Sequence, residues 1–315
     1  MTAMPPGDNN SNESTPIRPA RAPPRRNDRS VFTTPTTIKR LFAQFPLITY
    51  PSNELPLRAP STRQEHSLYV FVSAVGAARN APSFNPACLK YQTYLKFSGI
   101  PFRIISSNNH ASPTGALPFL LPAAASSVIE PPRKPVPANK LEKWAAENGS
   151  ALHESSDLRY EAYTSLLDSR IRRAWLYTLY LIPSNFAAVA HPLYISPSSS
   201  NTFVTMTIAH QLRAAVEAEL LKHSPSAFKI IDAEALCQEA EEAFKALSTL
   251  LGEHEWFFGV EKPGMFDAGV FAYTHLLLDE TLGWRENRLG VFVGSLENLV
   301  RHREGILREY FPGGA

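Results

Sequence analysis

Leu68-Tyr69-Val70-Phe71-Val72-Ser73-Ala74-Val75, Asn85-Pro86-Ala87-Cys88-Leu89-Lys90-Tyr91-Gln92-Thr93-Tyr94-Leu95-Lys96-Phe97-Ser98-Gly99, Phe102-Arg103-Ile104-Ile105 and Gly115-Ala116-Leu117-Pro118-Phe119-Leu120-Leu121 set the architecture of this 315-residue chain. The first run is apolar and rich in β-branched and aromatic residues, as a strand buried on both faces is. The second has Asn85 as N-cap, Pro86 at the first helical position and Gly99 just past the end, which predicts a helix. The third is a short strand. Strand, helix and strand in this order predict a βαβ unit with parallel strands. Pro118 is a misfit for a central strand. A cis Leu117–Pro118 bond at an edge of the sheet would accommodate it.

This order, closing on Leu117-Pro118-Phe119-Leu120, resembles the thioredoxin-like half of the glutathione transferase fold. Residues 85–89, 92–99 and Ser112-Pro113-Thr114-Gly115-Ala116-Leu117-Pro118-Phe119 more closely resemble the metaxin family, whose members carry this half without the enzyme's chemistry. The likeness spans residues 65–310, specific in the first half and diffuse in the second. It implies an α/β plus all-α architecture, with a thioredoxin-like N-terminal half packed on a C-terminal helical bundle. It also implies a peripheral, fungal-type metaxin-like subunit of the mitochondrial outer-membrane sorting and assembly machinery, on the cytosolic face. The implied partners are a membrane-embedded β-barrel core subunit, a second metaxin-like subunit and β-barrel precursor proteins.

Composition bounds the alternatives. The chain is 44% hydrophobic, ample for a full core, and Lys+Arg 31 against Asp+Glu 29 leaves no basic surplus for nucleic acid. Two cysteines, Cys88 and Cys237, are too few for a disulfide framework or a zinc site. No apolar run approaches the roughly 20 residues of a membrane-spanning helix. The longest, 174–182, is stopped by Pro183 and preceded by Arg172 and Arg173.

Residues 1–30, rich in Pro, Asn, Ser and Arg, read as a disordered tail. Asp8, Glu13, Asp28 and the prolines spoil an acid-poor amphipathic presequence. Residues 31–64 read as an extended arm with a short amphipathic helix, whose Ile38, Leu41, Phe42 and Phe45 share one face. Too short to be stable alone, it would dock on its own domain or on a partner. The thioredoxin-like domain is expected over 65–137, with a weak fourth strand at 127–130 and a proline linker after it. An all-helical domain is expected over 138–311. Its helices are read at 138–148, 156–182 (with Leu158, Ala162, Leu166, Ile171, Ala174, Trp175 and Leu179 apolar), 202–223, 232–251, 266–278 and 289–309. A proline- and serine-bearing connection is expected at 185–200. Trp144 and Trp175 read as core anchors of this helical half. Asp267, three residues after Gly264, stands where a capping box needs its acid, but Gly264 offers no side chain in return. The chain ends at Phe311-Pro312-Gly313-Gly314-Ala315 without an apolar tail, which favours the family type held by protein contacts.

A glutathione transferase activates a thiol near the start of its first helix, where the helix N-terminus favours negative charge. Ser83 and Cys88 are the candidates here. Cys88 falls on the apolar stripe with Tyr91 and Leu95 and reads as a small core hydrophobe; Ser83 reads as a turn residue. The enzyme family also grips glutathione with an acid–Ser pair after its fourth strand, where this sequence has Glu130-Pro131. The expectation is therefore a non-enzyme with no catalytic residue, no cofactor and no metal, the histidines being too scattered for ligand spacing. The alternative is a glutathione-dependent transferase. In place of glutathione, the groove beside Leu117 and Pro118 is expected to take an extended peptide by strand addition.

Overall fold

The computed structural model describes residues 65–123, 134–150, 152, 155–222 and 230–312. The tail, the arm with Ile38, Leu41, Phe42 and Phe45, and the strand expected at 127–130 lie outside the described residues.

Strand β1 (His66–Val70) and strand β2 (Phe102–Ser106) pair in parallel, with Leu68 opposite Ile104. After β1 comes a one-turn helix, α1 (Ala74–Ala78), capped by Ser73. The crossover is helix α2 (Pro86–Phe97), and its start is as the sequence predicts: the Asn85 side chain accepts from the Cys88 N–H, and Pro86 takes the first position. Gly99 follows its end at φ 68°, a left-handed conformation that costs glycine little. Strand β3 (Phe119–Leu121) runs antiparallel to β1, and β4 (Val136–Pro137) antiparallel to β3, giving the order β2-β1-β3-β4. The Leu117–Pro118 bond is cis. β3 is nevertheless an interior strand, not an edge. Pro118 precedes the paired residues and so removes no ladder donor. The edge on this side of the sheet is β4, where Pro137 is tolerated.

Helix α3 (Ala138–Asn148) packs on β3, β4 and α2, burying Leu141 and Ala145. Its Trp144 meets His66 of β1 edge-on at 5.0 Å, so Trp144 anchors the sheet side and not the helical half. Trp175 does sit in the helical half, edge-on to Trp284 at 5.4 Å.

The helical half begins with α4 (160–181), a continuous rod in which α-helical turns alternate with π-helical segments at Leu166–Ile171 and Tyr177–Leu181. Leu158, assigned above to its apolar stripe, precedes the rod and is 99% exposed. Pro183 does not introduce a loop: at the N1 position it starts α5 (183–195), largely π-helical, with Pro192 inside it. The stretch expected as a connection is thus mostly helix. α6 (Thr202–Lys222) and α7 (Ala233–Leu251) follow, the latter capped by Asp232 and closed by Gly252. The final helix expected at 289–309 is two, α9 (Arg288–Gly294) and α10 (Glu297–Tyr310), broken at Ser295-Leu296.

Between α7 and α9 lies α8 (Met265–Leu278), buried along its length and more extensively packed on α2 than any other pair of helices. Asp267 fixes its start. One carboxylate oxygen accepts the Gly264 N–H at 3.0 Å; the other accepts the Phe257 N–H at 3.0 Å and lies 3.1 Å from His302 Nε2 of α10. The box is half made, as Gly264 dictates, yet the carboxylate holds a loop, a helix start and the last helix together. Around it the two halves share one hydrophobic core, with Phe97 edge-on to Tyr310 at 4.7 Å.

Asp267→Ala strands two buried N–H groups and His302, and we expect it to cost roughly 3–5 kcal/mol in denaturant unfolding. Asp267→Asn, which keeps one acceptor, should cost clearly less.

A second expectation concerns pH. Burial, and then repulsion from Arg303, lowers His275 from 6.5 to about 4, and no partner is recorded for its Nδ1. Between these values the unfolded chain binds a proton that the folded chain refuses, so stability falls as pH drops from 6.5 towards 4 and is unaffected above. Each unit is worth about 1.4 kcal/mol. Stability–pH curves of the parent and of His275→Phe should diverge only in that window.

Candidate functional site

The fold places the N-terminus of α2 beside the C-terminal end of β1, where a transferase would set its thiol. Ser83 is fully buried there and completely engaged. Its Oγ donates to the Phe71 carbonyl at 2.6 Å and accepts from the Asn85 N–H at 3.3 Å, while its own N–H donates to Gln92 Oε1 at 2.9 Å. Gln92 Nε2 in turn donates to the Ala81 carbonyl at 2.9 Å. Ser83 and the buried amide of Gln92 therefore staple the loop before α2 to the end of β1. A hydroxyl so committed has no lone proton to offer a substrate.

Cys88 is likewise fully buried. Burial pushes its thiol up to about 12, against the smaller lowering effects of the Phe71 backbone and Ser83. It stays a protonated core thiol at neutral pH. The helix N-terminus that would stabilise a thiolate gives its Cys88 N–H to the Asn85 side chain.

Tyr194 of α5, which sequence reasoning passed over, covers this position from the helical half. Its hydroxyl donates to the Phe84 carbonyl at 3.0 Å and accepts from Asn85 Nδ2 at 3.4 Å. Its ring lies edge-on to Phe71 at 5.1 Å and to Phe84 at 5.3 Å, and 6.0 Å from Tyr180. Burial, with Tyr180 beside it, holds the Tyr194 phenol well above its ordinary range, so it is no source of a phenolate. The signal was present: Phe186, Val189, Ala190, Leu193 and Tyr194 recur at helical spacing, masked by Pro192. What stays open is a cavity of about 220 Å³, bordered by Phe71, Asn85, His110, Tyr180, Tyr194 and Leu212. That is below the roughly 300–1,000 Å³ usual for ligand pockets.

Leu117 and Pro118, expected to border a peptide groove, lie immediately before β3. Both residues are buried, and the Leu117 N–H donates to Asn109 Oδ1 at 3.0 Å. Asn109 belongs to a single 3₁₀ turn (Asn109–Ala111) between β2 and β3, and its amide takes the donor that strand addition would need. The Glu130-Pro131 position lies outside the described residues. Among the described residues, no three His, Cys, Asp or Glu side chains gather as a metal site, and no helix is long and apolar enough to cross a membrane.

Comparison with known proteins adds the following. A family model described as Glutathione S-transferase N-terminal domain matches residues 86–185, and one described as Glutathione S-transferase, C-terminal domain matches residues 240–306. With the architecture above, these give a glutathione-transferase-like fold. Among solved structures, a glutathione S-transferase of Ceriporiopsis subvermispora in complex with glutathione is 12% identical with a TM-score of 0.49, covering 79% of this chain and 99% of that one. A glutathione transferase family member from Pseudomonas fluorescens is 14% identical with a TM-score of 0.46, covering 80% and 92%. Metaxin-1 of Macaca fascicularis is 30% identical over 234 residues, 73% of this chain and 72% of that protein. Metaxin-1 of Homo sapiens is equally similar over 234 residues, but the chain spans only 49% of its length. Metaxin-3 of Xenopus laevis is 28% identical over 241 residues, 75% of each chain.

Native-state alkylation checks the site. At mildly alkaline pH, iodoacetamide should modify the half-buried Cys237 and leave Cys88 untouched until the chain is unfolded. Rapid native modification of Cys88 would contradict the burial described here.

Proposed function

The chain belongs to the metaxin family, and from that premise we propose that it is a non-enzymatic subunit of the mitochondrial outer-membrane sorting and assembly machinery. In this reading it is peripheral, on the cytosolic face, and aids recognition, insertion and release of β-barrel precursors. It works beside a membrane-embedded β-barrel core subunit and a second metaxin-like subunit. The role is the one the family resemblance implies, and one observation carries its non-enzymatic part. At the α2 N-terminus, the cap donor, the Ser83 hydroxyl, the Cys88 thiol and the Tyr194 phenol are all bonded within the protein or buried.

Transferase chemistry needs a donor there that strengthens a bond to a developing thiolate. Here each such group already has an internal partner or is sealed from solvent, so a thiol would have to displace native contacts before it could be activated. Partner binding is proposed to use the 31–64 arm, through the Ile38, Leu41, Phe42 and Phe45 face.

The test is native electrophoresis of mitochondria solubilised in mild detergent, combined with a glutathione conjugation assay on the purified chain. We expect migration in a large complex with the barrel subunit, and no turnover of a standard electrophile above the uncatalysed rate. Monomeric mobility would remove the assembly role. Turnover lost in Ser83→Ala or Cys88→Ser would establish the transferase instead.

A further inference from the structure

Between Arg173 and Arg213 the chain contains no Asp, Glu, Lys or Arg. Its buried residues, among them Trp175, Leu179, Tyr180, Val189 and Ala190, lie in α4 and α5, and none lies in its last part. The first turns of α6 hold Phe203, Val204 and Met206, which are 82%, 43% and 64% exposed. α6 buries only Val216 and Leu220, both in its second half, and its first turn is exposed. The segments it packs on are Tyr177–Leu181 and Phe186–Ile195, which lie in the same uncharged stretch.

We propose that the N-terminal half of α6 inserts into the surface of a lipid bilayer. Two observations fit a lipid surface. The first is the state of the tip's polar groups. Asn201 Oδ1 accepts the N–H groups of Phe203 at 2.9 Å and Val204 at 3.4 Å, closing the exposed helix start. The hydroxyls of Thr205 and Thr207 donate to the Thr202 and Phe203 carbonyls at 2.9 and 2.8 Å. In the preceding loop, Ser198 Oγ donates to the Tyr194 carbonyl and Ser199 Oγ accepts the Asn201 N–H, each at 3.1 Å. Such bonds stabilise a helix start in water as well, and they also leave fewer unpaired groups to carry into a low-dielectric layer, where each is costly.

The second observation is the order of charge along the helix. Beyond the apolar tip comes His210, then Arg213, whose guanidinium stacks over Phe186 at 5.3 Å, and only then the first acid, Glu217. At about 1.5 Å per residue, Arg213 lies roughly 16 Å from Thr202. With the tip buried about 5–10 Å past the headgroup boundary, Arg213 falls at the level of the lipid phosphates. Glu217 stays outside. The cation thus meets anionic oxygens and the acid avoids them.

The proposal goes beyond the assembly role and is read without any other subunit. The full chain, with Cys237→Ser and Met206→Cys carrying an environment-sensitive fluorophore, is mixed with phosphatidylcholine vesicles containing a minor fraction of phosphatidylglycerol. We expect the label to shift blue and to be quenched by nitroxides on the lipid acyl chains. Flotation of the unlabelled chain should show partitioning that falls ~10-fold or more in Phe203→Glu/Met206→Glu, with circular dichroism and melting unchanged because both side chains are exposed. Arg213→Ala should weaken binding only to the vesicles containing phosphatidylglycerol. Three results would overturn the proposal: no partitioning of the parent chain, partitioning unaltered in the double variant with the label in water, or concentration-dependent dimerisation that the double variant abolishes.

Discussion

Everything in the described fold hangs on a carboxylate that has been taken out of water. Asp267 would be a liability in a core if it were alone, since burying an uncompensated charge costs several kcal/mol. It is not alone: two backbone N–H groups and the His302 ring surround it. These contacts come from the loop before α8, the start of α8 and the last helix. The carboxylate therefore settles where α8 begins and how it is oriented. α8 in turn is buried on all sides and lies against α2, whose other face covers the sheet. The α/β layer and the helical bundle are in this sense two sides of one helix pair.

Much of this was legible in the residues because it is local. Asn85, Pro86 and Gly99 mark both ends of α2 through capping and backbone freedom alone, and Asp232 and Gly252 do the same for α7. Asp267 could be picked out at its offset from Gly264. What local chemistry could not show was the carboxylate's second task, since Phe257 and His302 reach it through tertiary packing. The failures share a cause. Pro183, Pro192 and Pro197 among serines read as a broken connection, yet Pro183 sits where a helix tolerates it. Leu158 fits a helical stripe by spacing and nevertheless precedes the helix.

At the candidate site, spacing placed the residues but not the bonds that hold them. The apolar stripe of α2 was enough to assign Cys88 to the core. Ser83 looked like a plain turn residue; it is a staple, and only the return of Gln92 from one helical face could have revealed that. The Leu117 N–H is a similar case. A free N–H at Leu117 is a property of the neighbouring loop, and Asn109 supplies an acceptor that no pattern within the strand announces.

The aromatic cluster around Tyr194 changes what the cleft is for. A cleft held open for a ligand keeps apolar surface wet until the ligand arrives, and the protein is less stable for it. Here Phe71, Phe84, Tyr180 and Tyr194 close that surface with rings from both halves. These contacts make the position a seam that joins α5 to the sheet side. Each ring removed to admit a small molecule would also loosen α5 from the sheet, so widening the cleft and keeping the two halves together pull against each other.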